Sequence, residues 1–159
     1  MPEVHTTIEE VQGFTVAGVA CGLKGGGALD FALIVSDRPC SAAGVFTTNH
    51  VKAAPVIVNM DRLARNPSAI RAVAVNTKCA NACTGEQGVA NALAMGELAA
   101  QALGVANDSV LAMSTGVIGT HLPMDKIAAG VELATTGLGG DWHAAASAIM
   151  TTDTRPKLA

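Results

Sequence analysis

The run Ile70-Arg71-Ala72-Val73-Ala74-Val75-Asn76, followed after a short break by Asn81-Ala82-Cys83-Thr84-Gly85-Glu86-Gln87-Gly88, carries the change that decides the fold. Up to Asn76 the apolar residues fall in short runs rich in Val and Ile, and beyond it their period moves from two towards about 3.6. Thr84 with Gln87 three residues later is the reciprocal capping pattern of a helix start. A helix from about Glu86 to Leu103 is expected, ended by Gly104. Val89, Leu93, Ala100 and Leu103 mark one apolar stripe on it, and Ala fills much of the remainder, so burial on more than one side is expected.

Upstream, Phe14 to Leu23, Asp30 to Val35, Ala42 to Thr47 and Pro55 to Val58 join Ile70 to Val75 as expected strands bounded by Gly, Pro, Asn or Asp. Their spacing suits a mostly antiparallel or mixed sheet. Asp61 to Asn66 has room for one or two helical turns, closed by Asn66-Pro67 because proline disfavours the helical region for the residue before it. Downstream, Ser109 to Met113 returns to the sheet and Ser114-Thr115-Gly116 ends that strand. Pro123 fits the first turn of a helix that continues from Met124 to about Thr136. After Gly137-Leu138-Gly139-Gly140, Asp141 caps a last helix reaching Ile149 or Met150. Met150 to Ala159 carries three threonines, an acid and two bases past that helix.

The composition bounds the function. With 159 residues, 50% apolar and 14% charged, the chain is one globular domain or a large part of one, and disorder is excluded. Such a length buries roughly 70% of the unfolded surface without disulfides or metals. The core must rest on Val, Leu, Ile and Ala, because there is no tyrosine, one tryptophan (Trp142) and three phenylalanines (Phe14, Phe31, Phe46). A net charge of -3 with 3% aromatics argues against phosphate attraction and base stacking, so no nucleic-acid partner is expected. Apolar stretches such as Phe14 to Leu23 are shorter than the roughly 20 residues of a bilayer span, so no membrane partner is expected either. Met1-Pro2-Glu3-Val4-His5 runs into Glu9 and Glu10 without the pattern of a secretory signal. The expectation is a cytoplasmic protein whose Cys21, Cys40, Cys79 and Cys83 are reduced thiols.

Most local motifs have a plain structural reading. Gly22, Gly25, Gly26 and Gly27 have the wrong spacing for either phosphate-binding glycine pattern and read as a hairpin turn, which makes a nucleotide-binding domain a weak alternative. Cys79 and Cys83 lack the second half of a structural zinc site. His5, His50, His121 and His143 are scattered, with no metal-ligand spacing. Ser114-Thr115-Gly116-Val117-Ile118-Gly119 places a hydroxyl and a glycine N–H at the mouth of a strand, where both can converge on an oxygen gaining negative charge, although a strand-end turn accounts for them equally. Thr151-Thr152-Asp153-Thr154 offers hydroxyls just past a helix, which bind ligands or simply cap and turn the chain.

Five segments taken jointly are more specific than any one. Gly44-Val45-Phe46-Thr47-Thr48-Asn49 with Val51-Lys52-Ala53-Ala54-Pro55-Val56, the Asn81 to Gly88 run, Ser114 to Gly119, Leu122-Pro123-Met124-Asp125-Lys126, and Ile149-Met150-Thr151-Thr152-Asp153-Thr154 closely resemble the N-terminal part of the ornithine acetyltransferase family. These are the glutamate N-acetyltransferases of the cyclic arginine pathway. The resemblance runs from about Gly13 to Lys157 in unbroken order, and divides the chain into an extension over 1–12 and an α-chain portion over 13–159.

The resemblance implies an α/β fold of the self-processing, aminopeptidase-like (N-terminal-nucleophile-type) kind, a sandwich of mixed sheets flanked by helices that is incomplete without a β chain. It implies a precursor that cuts its backbone before a threonine, leaving α and β chains together as a hetero-oligomer. The new terminal threonine, activated by its own amine, takes acetyl from N-acetylornithine and passes it to glutamate. No cofactor is implied; acetyl-coenzyme A is an alternative acetyl donor that would make the enzyme bifunctional. Carried over by position, Thr115 and Gly116 match the family's oxyanion-hole pair, and Thr151 matches a substrate-binding threonine. In place of the family's common Asn-Ser-Gly-Asn-Ala-Asn-Ala-Cys this chain has Asn76-Thr77-Lys78-Cys79-Ala80-Asn81-Ala82-Cys83, a change able to alter donor or acceptor if the segment nears the substrate, or to mark a paralogue. The sequence stops at Ala159, before the segment in which the family places the scissile bond and nucleophile, so this chain by itself is expected to be inactive. The alternative is a catalytically incomplete relative acting as a binding or scaffold module.

Overall fold

The computed structural model describes residues 11–157; most of the expected extension over 1–12, His5 included, lies outside them. Four strands, β1 (Phe14–Val19), β2 (Phe31–Cys40), β3 (Ile70–Asn76) and β4 (Val110–Ser114), form one sheet in the order β1-β2-β3-β4. The first two pairings are antiparallel and β3 with β4 is parallel, so the sheet is mixed, as the spacing predicts. The glycine-rich 20–30 segment joins the antiparallel β1 and β2, and Gly22, Gly26 and Gly27 take left-handed backbone there, in keeping with the turn reading.

Register sorts the side chains into two layers. Ala17, Leu33, Ala74 and Ala112 are paired across the four strands, as are Val16, Ile34, Val73 and Leu111 one residue along. The first row is buried with Phe31, Val110, Met95 and Ile127 in the main core, under helices α2 (Gly85–Leu103) and α3 (Met124–Thr136). The second row's Val16 packs with Ala32, Val75, Ala145 and Ala148 beneath the short helix α4 (Trp142–Ala148). Alanine in the sheet and on the helices brings the layers close, which is how a chain so poor in aromatics reaches a dense interior.

Two expected strands do not form. Pro55 to Val58 belongs to helix α1 (Ala54–Arg65), with proline in its first turn, and the 42–47 segment is irregular, with Val45 fully exposed. The buried face of α1 is Ala54, Pro55, Val58, Asn59 and Arg62, so its helical period is carried partly by polar residues, and counting apolar ones finds only the last turns, those expected over Asp61 to Asn66 and closed at Asn66. On α2 the expected stripe holds at Ala100, which is buried, and at Val89 and Leu103, which pack partly buried against the core, but fails at Leu93, which is exposed. The fully buried residues of the helix are Gly88, Asn91, Ala92, Met95, Gly96, Ala99 and Ala100. A helix packed on α1, α3 and β4 needs small residues at its contacts: a Cβ on Gly96 would stand 2.4 Å from Arg62 Nη1, the end of a buried side chain of α1. The capping pattern also fails, because Thr84 Oγ1 donates to Asn81 Oδ1 at 2.8 Å instead of receiving a helix N–H. Gly104 in left-handed conformation closes α2, Pro123 immediately precedes α3, and Asp141 Oδ1 accepts the Ala144 N–H at 2.8 Å to cap α4, all as the sequence indicates. Among the described residues no helix is long and apolar enough to cross a membrane.

Candidate functional site

The parallel strands β3 and β4 end level with one another at Asn76 and Ser114, and the chains beyond stay side by side. Thr115 N–H donates to Asn76 O at 3.1 Å, Val117 N–H to Lys78 O at 3.0 Å, Ala80 N–H to Val117 O at 2.9 Å, and Gly119 N–H to Ala82 O at 2.8 Å. Asn76, fully buried, pins this turn through its carboxamide. Its Nδ2 donates to Thr77 O (3.1 Å) and Cys79 O (2.9 Å), and its Oδ1 accepts from Ser114 Oγ (2.6 Å). Lys78, Asn81 and Cys83 all take left-handed backbone, at φ 71, 48 and 56, a concentration of non-glycine strain typical of functional turns.

Gly116 lies against this turn. At φ 141, a Cβ there would be 2.2 Å from the Lys78 carbonyl carbon and 2.6 Å from Cys79 N, so no other residue fits. The N–H groups of Thr115 and Val117, on either side of Gly116, are both taken by the chain leaving β3. Among the described residues nothing accepts the Gly116 N–H, and the Thr115 hydroxyl likewise makes no hydrogen bond. Beside the outer edge of β4 lies a cleft of about 240 Å³ whose lining includes Phe46, Val56, Asn59, Met113 and Ser114.

Asp30, fully buried, ties the loop before β2 to the same turn. Its carboxylate accepts the N–H groups of Cys21 and Lys24, both at 2.7 Å, and its carbonyl accepts from Thr77 N–H and Oγ1, both at 3.0 Å. Burial works to raise the Asp30 pKa, but the N–H donors more than offset it and the net shift is downward. Lys24 Nζ donates to Leu29 O (2.7 Å) and Ala148 O (3.5 Å). Ala148 ends α4, which leads to Thr151 in an exposed segment where Asp153 and Lys157 form an ion pair. Thr115 and Gly116 are neighbours in the chain at the end of β4, and Thr151 has no hydrogen bond to either among the described residues.

Sequence reasoning overlooked Asn76, Asp30 and Lys24. A polar residue closing an apolar strand, and an acid opening one, are the available signals for the first two. His50, His121 and His143 are exposed, and among the described residues no group of three His, Cys, Asp or Glu could hold a metal ion.

A model of the ArgJ family matches residues 15–159. The arginine biosynthesis bifunctional protein ArgJ of Thermotoga neapolitana is 54% identical over 147 residues, covering 92% of this chain but 37% of that protein. The chain thus spans little more than a third of this curated relative. Among solved structures, ornithine acetyltransferase complexed with ornithine from Mycobacterium tuberculosis is similar with TM-score 0.87 and 44% identity, over 93% of this chain and 80% of that one. ArgJ from Bacillus halodurans is similar with TM-score 0.83 and 37% identity, over 93% of this chain and 77% of that one. With the match running unbroken through the β3–β4 turn and the Thr115–Gly116 pair, this chain belongs to the ArgJ family.

Proposed function

We propose that the chain is the α-chain portion of a cytoplasmic acetyltransferase of arginine biosynthesis that moves acetyl from N-acetylornithine to glutamate through a threonine acyl-enzyme. The nucleophile belongs to a β chain cut from the same precursor, and the two chains work as a hetero-oligomer. The coverage figures support a cut precursor: the chain matches 37% of a full-length relative but 77% and 80% of the solved chains, which must be shorter. The names of the relatives, bifunctional ArgJ and ornithine acetyltransferase, support the activity. Acetyl-coenzyme A serves as a second acetyl donor in this reading.

The observation that carries the reading is the Gly116 N–H beside the Thr115 hydroxyl, both without a partner among the described residues. As the nucleophile's hydroxyl attacks the acetyl carbonyl, its oxygen gains negative charge. The Gly116 N–H, fixed by its backbone against the Lys78–Cys79 turn, and the Thr115 hydroxyl beside it stabilise that charge in this reading. Thr151 contributes to holding the amino-acid substrate. The test uses the copurified two-chain complex. Thr115→Ala, or replacement of the Gly116 amide by an ester that deletes only its N–H, should slow acyl-enzyme formation about 100- to 1,000-fold for a full donor's loss. Gly116→Pro is a poor substitute because any Cβ there strikes the Lys78 backbone. Wild-type rates in both variants would refute the assignment, and a wild-type complex unable to move acetyl from N-acetylornithine to glutamate would refute the activity.

A further inference from the structure

Asn76 closes β3 and is completely buried. A carboxamide in such a place costs stability unless its groups are matched, and these are: Nδ2 donates to Thr77 O at 3.1 Å and to Cys79 O at 2.9 Å, while Oδ1 accepts from Ser114 Oγ at 2.6 Å. The two carbonyls lie on either side of Lys78, whose φ of 71 is a left-handed backbone that a non-glycine residue keeps only when its surroundings enforce it. Asn76 clamps that residue from both sides. The backbone so fixed is the one on which Gly116 rests, since a Cβ on Gly116 would stand 2.2 Å from the Lys78 carbonyl carbon and 2.6 Å from Cys79 N.

The same residue grips the chain that leads into Gly116. Its carbonyl accepts the Thr115 N–H at 3.1 Å, and its carboxamide holds the Ser114 hydroxyl. One side chain and its backbone therefore set both the turn beneath Gly116 and the two residues before it. From this junction we infer that Asn76, with Ser114 as its partner, is a positioning residue: buried away from the substrate, it holds the Gly116 N–H in place for the oxygen that gains charge. This rests on the oxyanion role proposed above and adds the residues through which that donor is held.

The test is a double-mutant cycle on the copurified two-chain complex, read as the single-turnover rate constant for acetylation by N-acetylornithine, which does not depend on how much of a preparation is folded. Asn76→Asp keeps the shape but loses both N–H donors, and should slow acetylation about 10- to 100-fold, the range of a donor present but misplaced. Ser114→Ala removes one hydrogen bond from a half-buried position and should slow it about three- to tenfold. In both, the N-acetylornithine concentration giving half the maximal rate should stay within about twofold of wild type. In a complex whose Gly116 amide is replaced by an ester, the same substitutions should cost at most about twofold more, because the donor they act on is gone. Losses that multiply in full in the ester background, a larger rise in the half-saturating concentration, or wild-type rates overturn the inference and leave acetyl transfer standing. Where Asn76→Asp yields no complex, Ser114→Ala decides alone. An ester complex acetylated at the wild-type rate, or a wild-type complex that transfers no acetyl, overturns the functional reading beneath it and the inference as well.

Discussion

Asn59 holds Ala112 by both of its backbone groups. The Asn59 Nδ2 donates to Ala112 O at 2.8 Å and its Oδ1 accepts the Ala112 N–H at 3.1 Å, so a side chain of α1 does the work of a neighbouring strand along the outer edge of β4. Arg62, one turn further along α1, donates to Val110 O on the same edge. An open strand edge invites wrong pairing, and here it is closed by side chains before the chain reaches the Gly116 N–H, which has no acceptor among the described residues.

Replacing Asn59 with Leu keeps much of the side-chain volume but orphans a buried N–H and C=O. The expected loss is about 2–4 kcal/mol, since each buried unpaired group costs roughly 1–3 kcal/mol. Urea denaturation should show a lower midpoint at unchanged slope. A midpoint equal to wild type would mean that water replaces the carboxamide without loss.

Gly18 on β1 faces α4 so closely that a Cβ would stand 2.2 Å from Ala144 O. Because the obstacle is backbone, Gly18→Ala should push α4 off the sheet at a cost of about 3 kcal/mol or more. Trp142, the sequence's single tryptophan, sits on α4 packed against the Val16 cluster. Its emission should shift to the red in the variant; an unshifted spectrum at wild-type stability would contradict the packing.

The depressed pKa of Asp30 makes stability depend on acid. The unfolded carboxyl titrates near about 3.9, and the folded one lies lower, so its contribution is complete above the unfolded value and is lost as pH falls through the folded one. Wild type should therefore exceed Asp30→Asn in stability at neutral pH, and the gap should narrow below about pH 4. Denaturation at pH 7 and pH 3 measures it, and a gap that stays constant would rule out the carboxylate as its source.

The cysteines should separate by environment. Burial, reinforced by hydrogen bonding to Asp30 and its charge, pushes the Cys21 thiol up to about 12. Burial also raises that of Cys79, whose Sγ donates to Thr120 O, whereas Cys83 is exposed. Brief treatment with iodoacetamide at mild alkaline pH should label Cys83 well before Cys21 or Cys79, because the thiolate is the reacting form. Peptide mapping by mass spectrometry reads the order, and equal labelling of Cys21 and Cys83 would contradict it.

What could be read from the residues was whatever depends on neighbours along the chain. The Val- and Ile-rich runs around Val16, Leu33 and Val73, the Gly104 stop, the Asp141 cap and the strand end at Ser114 are all signalled within a few residues. The failures have a common cause. Helix α1 is legible only in its last turns, from Asp61 to Asn66, because its buried positions include Asn59 and Arg62, polar residues that are favourable there only because the β4 edge supplies Val110 O and Ala112 to meet them. The stripe on α2 fails only at Leu93, because contact with three neighbours favours small residues such as Gly88, Ala92 and Gly96.

The same division holds at the candidate site. The sequence by itself determined the family, the mixed α/β architecture and the presence of a Thr-Gly pair at a strand end, since composition, period and motif order are properties of a single line of residues. The tertiary structure decided that Gly116 lies on the Lys78–Cys79 backbone with its N–H unclaimed among the described residues, and that Asp30 and Asn76 brace the turn. The physical reason is that a hydrogen bond, made or left unmade, is defined by every group that could have reached it, and those groups come from distant parts of the chain.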